Sequence, residues 1–122
     1  MHHSDEFVAL VNDAKSRVRE TNLEQWPTLA AGGALLVDVR EDREWNAGHA
    51  VGAQQFGRGV LERDIVQAVP DKDQALVLYC GGGFRSALAA DNLQKMGYRN
   101  VYSLAGGWKA WLAAGLPTQV PE

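Results

Sequence analysis

These 122 residues hold one cysteine, four prolines and two methionines. A single thiol, Cys80, excludes an intramolecular disulfide and any zinc cluster built on several cysteines. Only one histidine, His49, lies beyond the amino terminus, which removes histidine-based metal sites and leaves no metal in the expected chemistry. Basic charge is not in excess. Lys and Arg number 12 against 15 Asp and Glu, a formal net charge of -3, so the chain has no general attraction to nucleic acid. No apolar run approaches the roughly 18 residues of a membrane span, and the opening MHHSDEF lacks the basic-then-apolar order of a secretory signal. The expectation is a soluble, cytoplasmic chain with no membrane partner. What the sequence does have is 46% hydrophobic and 22% charged residues, enough for one core in a single globular domain.

Apolar spacing gives the elements. Phe7, Val8, Val11, Ala14 and Val18 recur at three and four, which predicts an amphipathic helix over residues 4–20 with Ser4 as its cap. Residues 23–31 read as a second short helix ended by Gly32 and Gly33. Near-unbroken apolar strands follow at 34–39, 75–80 and 101–104, with a helical pattern in Leu88, Ala89, Leu93 and Met96 between the last two. A final helix begins at Gly107 and stops at Gly115 and Pro117. Alternation of apolar strands and helices predicts an α/β fold with a parallel sheet covered on both faces. Residues 41–61 are the one long irregular stretch.

Cys80 ends the second strand and is followed by Gly81, Gly82, Gly83, Phe84, Arg85 and Ser86. In a parallel sheet, ligands bind at the carboxyl edge of the strands. Three glycines let successive amides turn inward into an anion-binding nest, and a helix starting near Ser86 adds the positive end of its dipole. With Arg85 adjacent, these surroundings favour the ionised, nucleophilic sulfur.

The segments LLVDVREDREW, AGHAVGA, VLYCGGGFRSALAA and LAGGWKAW, in this order and spacing, resemble the rhodanese-like domain family, of the single-domain thiosulfate sulfurtransferase type. The resemblance spans roughly residues 35–117. It implies a five-stranded, mostly parallel sheet with helices on both faces, residues 23–122 as the domain and 1–22 as an N-terminal helical extension. It implies that Cys80 accepts sulfane sulfur as a persulfide from a donor such as thiosulfate. A thiophilic acceptor, cyanide in vitro or a thiol in the cell, then takes that sulfur, with no cofactor needed. Partners would be small molecules and a sulfur-relay protein, in a monomer or weak homodimer. Within this frame Gly81, Gly82, Gly83, Phe84, Arg85 and Ser86 bind substrate and Arg58 steers anionic donors from the rim. Asp38 and Arg40 support the loop, and His49 is a structural histidine at a turn.

Two other readings stay open. Cysteine phosphatases and arsenate reductases also set a thiolate over a helix and close the loop with arginine, but with five residues between the two; here there are four. A partner-binding module without turnover is the other, kept open by the N-terminal helix. Glu41, Asp42, Arg43 and Glu44 read as a solvated turn and helix start, and Trp108 and Trp111 as core packing.

Overall fold

The two longest apolar runs become neighbouring parallel strands. In the computed structural model, which describes residues 3–121, the elements follow the order α1 (Asp5–Lys15), β1 (Arg19–Thr21), α2 (Trp26–Ala31), β2 (Leu35–Asp38), α3 (Asp42–Ala47), β3 (His49–Ala50), β4 (Gln54–Gln55), α4 (Leu61–Ala68), β5 (Leu76–Tyr79), α5 (Phe84–Lys95), β6 (Val101–Leu104), α6 (Gly107–Ala113) and β7 (Thr118–Gln119). A five-stranded sheet in the order β1-β6-β5-β2-β4 is parallel at every pairing. The short β3 and β7 pair antiparallel as a separate ribbon. Among the described residues no helix is long and apolar enough to cross a membrane.

Alternation along the central strands sends side chains into two cores. Val37, Val39, Leu76, Leu78 and Cys80 face one side, where Leu61 and Ile65 of α4 and Ala89, Ala90 and Leu93 of α5 meet them. Leu36, Val77 and Tyr79 face the other, against Trp26 and Leu29 of α2 and Trp108 and Trp111 of α6. Burial on both faces is why β2 and β5 read as continuous apolar runs.

Three expectations need correction. The first helix ends at Lys15, and residues 19–21 form β1, an edge strand paired with β6. Its residues Arg-Glu-Thr are polar and mostly exposed, so it gives no apolar signal; backbone pairing holds it, together with the Arg19 guanidinium, 4.4 Å from the centre of the Tyr102 ring. A division at residue 22 therefore cuts the sheet; the outer ends of that division, Met1, His2 and Glu122, lie outside the described residues. Helix α1 docks on α5 through buried Val11 and Ala14. Arg17 then spans to buried Asp91, Nε donating at 3.0 Å and Nη2 at 2.8 Å. Finally, the stretch 41–61 is not irregular. It holds α3, β3, β4 and the start of α4.

The sheet's connections turn in opposite directions after β2 and β5: the chain from β2 goes on toward β4, that from β5 toward β6. This is a topological switch point, and the carboxyl ends of these two strands open the crevice where such folds take ligands. Just beyond β2, Arg40 is buried. Its Nε donates to both Asp38 oxygens at 3.1 Å, and Nη2 donates to Asp38 Oδ2 at 2.8 Å and to the Gly48 carbonyl at 2.6 Å. The guanidinium also lies over Trp108, 4.6 Å from the ring centre. Removing one partner of a buried pair strands the other, so Arg40→Met is expected to lower the unfolding free energy by about 3–5 kcal/mol in urea titration. A loss near the roughly 0.5 kcal/mol of an ordinary surface substitution would refute that supporting role.

Candidate active site

Cys80 follows the last residue of β5, and α5 begins four residues later at Phe84. The turn is made by Gly83, whose φ of 106° is one that L side chains rarely adopt. It aims two amides at the sulfur: Gly83 N–H donates to Cys80 Sγ at 3.1 Å and Ser86 N–H at 3.3 Å. Sγ lies 3.5 Å from Ser86 Oγ, which in turn lies 2.8 Å from Ser103 Oγ. Both serines are fully buried. The N-terminal amides of a twelve-residue helix thus converge on one sulfur atom, an arrangement that stabilises negative charge there.

The loop's carbonyls are held on the opposite side. Trp108 N–H donates to the Cys80 carbonyl at 2.7 Å and Lys109 N–H to the Gly81 carbonyl at 3.1 Å. This approach of α6 requires Gly107, with φ of 47°. A Cβ there would collide with the Cys80 carbonyl and lie 3.1 Å from Gly81 C. Two helix starts therefore grip one loop, α6 by its carbonyls and α5 by its sulfur.

Cys80 is 1% exposed. One side of it belongs to the core, and the other meets a cavity of about 860 Å³. Gly81, Gly82 and Phe84 line that cavity with it, as do the charged Glu41, Arg43, Glu44, Arg85 and Lys109. Arg85 is clamped by Glu44: Nη1 donates to Oε1 at 2.8 Å and Nη2 to Oε2 at 3.1 Å. Glu44 Oε1 also accepts the Glu41 backbone N–H at 3.2 Å, closing the first turn of α3. The ion pair thus bridges the segment after β5 and the segment after β2. Arg85 holds the Glu44 carboxyl well below its ordinary value, lowered to about 2 against the opposing effect of partial burial. Glu44, expected as part of a solvated turn, is instead the partner of the loop arginine.

The expected site residues do not all meet at the thiol. Cys80, Gly81, Gly82, Phe84 and Arg85 line one cavity, while Gly83 and Ser86 act beneath it through their amides. Asp38 and Arg40 form the buried pair already described. His49 lies outside the cavity, stacked on Trp45 with ring centres 3.4 Å apart. Its Nδ1 donates to the Trp45 carbonyl at 3.1 Å and Nε2 faces Gln119 at 3.2 Å. Arg58 does not line that cavity. Its Nη1 donates to Glu62 at 2.7 Å, in the first turn of α4, and with Gly57, Gly59 and Val60 it lines an adjoining depression that shares Glu41 and Arg43 with the cavity of Cys80. A carboxylate four residues on captures it. Sequence reasoning missed Glu44, Lys109, Gly107 and Ser103; the Gly-Gly before Trp108 was the one visible signal for the α6 contact. Among the described residues, no group of three or more His, Cys, Asp or Glu is placed to hold a metal ion.

A thiol fixed at a helix N-terminus, on the switch point of a parallel α/β sheet, defines the class as a cysteine-loop α/β domain. The family model of the rhodanese-like domain matches residues 21–114, and the chain belongs to that family. It is 41% identical over 81 residues to the thiosulfate sulfurtransferase GlpE of Shewanella oneidensis, covering 66% of this chain and 78% of that one. A solved protein of unknown function from Rhodopseudomonas palustris, described as a possible tyrosine phosphatase, superposes with a TM-score of 0.81 at 31% identity over 98% of each chain. The polysulfide-sulfur transferase homodimer of Wolinella succinogenes superposes with a TM-score of 0.79 at 27% identity, covering 96% of this chain and 89% of that one.

Two expectations follow from this geometry. Gly107→Ala should destabilise the protein by about 2 kcal/mol or more, combining left-handed strain with displacement of the Cys80 loop. In Gly82→Ala the added Cβ meets nothing within 4 Å, and the loss should stay below about 1 kcal/mol. Equal losses in urea denaturation would contradict the proposed grip. Because the Glu44 carboxyl is depressed in the fold, its contribution is complete above the unfolded value of about 4.3 and fades as pH falls toward 2. The stability difference between the wild type and Glu44→Gln should therefore shrink as the pH is lowered from about 5 to about 2.5. A difference that stays constant over that range would mean the carboxylate pairing contributes nothing.

Proposed function

We propose that the protein is a sulfurtransferase that carries sulfane sulfur as a persulfide on Cys80. The observation that carries this reading is the pair of amides from Gly83 and Ser86 aimed at Sγ from the N-terminus of α5. Membership of the rhodanese-like family and the likeness to a thiosulfate sulfurtransferase and a polysulfide-sulfur transferase support it.

In the first step the Cys80 thiolate attacks the outer sulfur of a donor such as thiosulfate. The S–S bond of the donor breaks, its electron pair leaves with sulfite, and Cys80 becomes a persulfide. In the second step cyanide, or a thiolate in the cell, attacks the outer sulfur of that persulfide. The electron pair of the breaking bond returns to Sγ, and thiocyanate or a new persulfide departs. Gly83 and Ser86 N–H groups balance charge on Sγ in the resting and regenerated states. Arg85, Arg43 and Lys109, which line the same cavity, draw in the anionic donor. The enzyme alternates between a free-thiolate and a persulfide form in two half-reactions, the first product leaving before the acceptor reacts, so ping-pong kinetics are expected.

The possible phosphatase among the solved relatives calls for a second reading. Four residues separate Cys80 from Arg85, and a loop that short presents two amides to one sulfur. A bound phosphate would need donors for three oxygens, and the loop arginine here is engaged by Glu44. Incubation with thiosulfate should add one sulfur atom to the intact mass of the wild type, removable by cyanide, and nothing to Cys80→Ala. Turnover retained by Cys80→Ala, or p-nitrophenyl phosphate hydrolysis matching thiosulfate turnover, would overturn the assignment.

A further inference from the structure

Helix α1 precedes the segment matched by the family, residues 21–114, yet it supplies part of the wall around Cys80. Phe7, on its first turn, lines the cavity with Phe84 of the loop, their ring centres 6.0 Å apart. His3 sits between them, 5.2 Å from Phe7 and 4.8 Å from Phe84. Lys15 Nζ lies 5.1 Å from the centre of the Phe84 ring, so α1 touches that ring from both of its ends. The Arg17–Asp91 pair and buried Val11 and Ala14 fasten the helix to α5. The aromatic wall is thus part of the packed fold. Both phenyl rings remain half-buried, their free surface turned to the cavity.

The cavity is larger than a small inorganic anion fills. At about 30 Å³ per water-sized group, thiosulfate or cyanide would fill on the order of a tenth of the 860 Å³. Volumes of this size belong to organic ligands, which place an apolar body on aromatic walls and a reacting group at the polar end. Here the polar end is Cys80 with its loop amides, and Phe7, Phe84 and Ala110 supply the apolar lining.

We propose that Phe7 is a specificity-determining residue: with Phe84 it forms an apolar wall that selects, as sulfur acceptor, a small organic thiol with an aryl or alkyl body. This rests on the sulfur-transfer reading and deepens it. The thiolate of such an acceptor attacks the outer sulfur of the Cys80 persulfide, the S–S bond breaks toward Sγ, and the persulfide of the organic thiol leaves. The phenyl body packs against Phe7 while the sulfur reaches the loop.

The test loads the full-length protein with sulfur from thiosulfate and follows discharge by 2-phenylethanethiol, 2-mercaptoethanol and cyanide. The wild type should prefer 2-phenylethanethiol to 2-mercaptoethanol by kcat/KM on the order of tenfold, the worth of one aromatic contact with its buried area. In Phe7→Ala that preference should collapse through KM, and the kcat/KM ratio of 2-phenylethanethiol to cyanide should fall by a similar factor. Phe7→Leu, which keeps apolar bulk and the docking of α1, should retain most of the preference. No preference in the wild type, or a preference that survives in Phe7→Ala, overturns the proposal. Saturation-transfer NMR of 2-phenylethanethiol on Cys80→Ser, with and without Phe7→Ala, reads the wall directly. Signal lost with Phe7 supports the wall even where thiosulfate fails to load the wild type, a failure that would count against the sulfur-transfer reading alone. Equal signal from both proteins overturns it.

Discussion

The site depends on the direction in which five or six peptide groups point. A loop that leaves a strand and enters a helix can turn its amides toward the sulfur or away from it, and the choice is made by where its carbonyls are tied. Here the carbonyls of Cys80 and Gly81 are occupied by the first amides of α6, which leaves Gly83 and Ser86 N–H free to converge on Sγ. Buried peptide groups must find partners, so satisfying the carbonyls on one side fixes the amides on the other. That grip needs backbone against backbone at Gly107 and a left-handed turn at Gly83. A Cβ at Gly107 would strike the Cys80 carbonyl, and at Gly83 the positive φ strains any L side chain.

The sheet supplies the second constraint. Because connections leave β2 and β5 in opposite directions, the loops that follow these strands face each other across a crevice. Asp38 and Arg40 fill the base after β2, held by Gly48 and covered by Trp108. Glu44, one helical turn further on, reaches across to Arg85. Trp108 takes part in both arrangements, its ring over Arg40 and its amide on the Cys80 carbonyl. The buried pair and the cysteine loop are therefore mechanically joined through one residue of α6.

Elements that bury apolar side chains were legible in the sequence: β2, β5, β6, α5 and α6 all show their faces. Strands β1 and β4 were not, since Arg-Glu-Thr and Gln-Gln pair with the sheet without an apolar side chain to mark them. Cys80, the glycines and Arg85 were readable because a nucleophile, a nest and a cation stand adjacent in the chain. Glu44 was not, because a carboxylate in a charged run gives no sign of which cation will take it 41 residues away. Arg58 shows the converse: Glu62, four residues on, takes one of its guanidinium nitrogens. Charges choose partners by distance in the fold, and only close neighbours in the chain, such as Arg58 and Glu62 or Asp38 and Arg40, reveal that distance in sequence.

Charge at the cavity differs in sign from charge on the whole chain. The chain carries a formal -3, but the cavity is lined by three cations, Arg43, Arg85 and Lys109, against two carboxylates, Glu41 and Glu44. Glu44 remains ionised at any pH near neutrality, so Arg85 stays paired with it. Arg43 Nε lies 3.7 Å from Glu41 Oε2, so the surplus charge rests on Lys109, exposed at the rim. In the proposed sulfur transfer, an anionic donor would be drawn by the rim and would meet the helix amides only at the loop. Attraction and chemistry would then fall to different groups: long side chains gather the donor, and fixed backbone dipoles receive the charge as it returns to the sulfur.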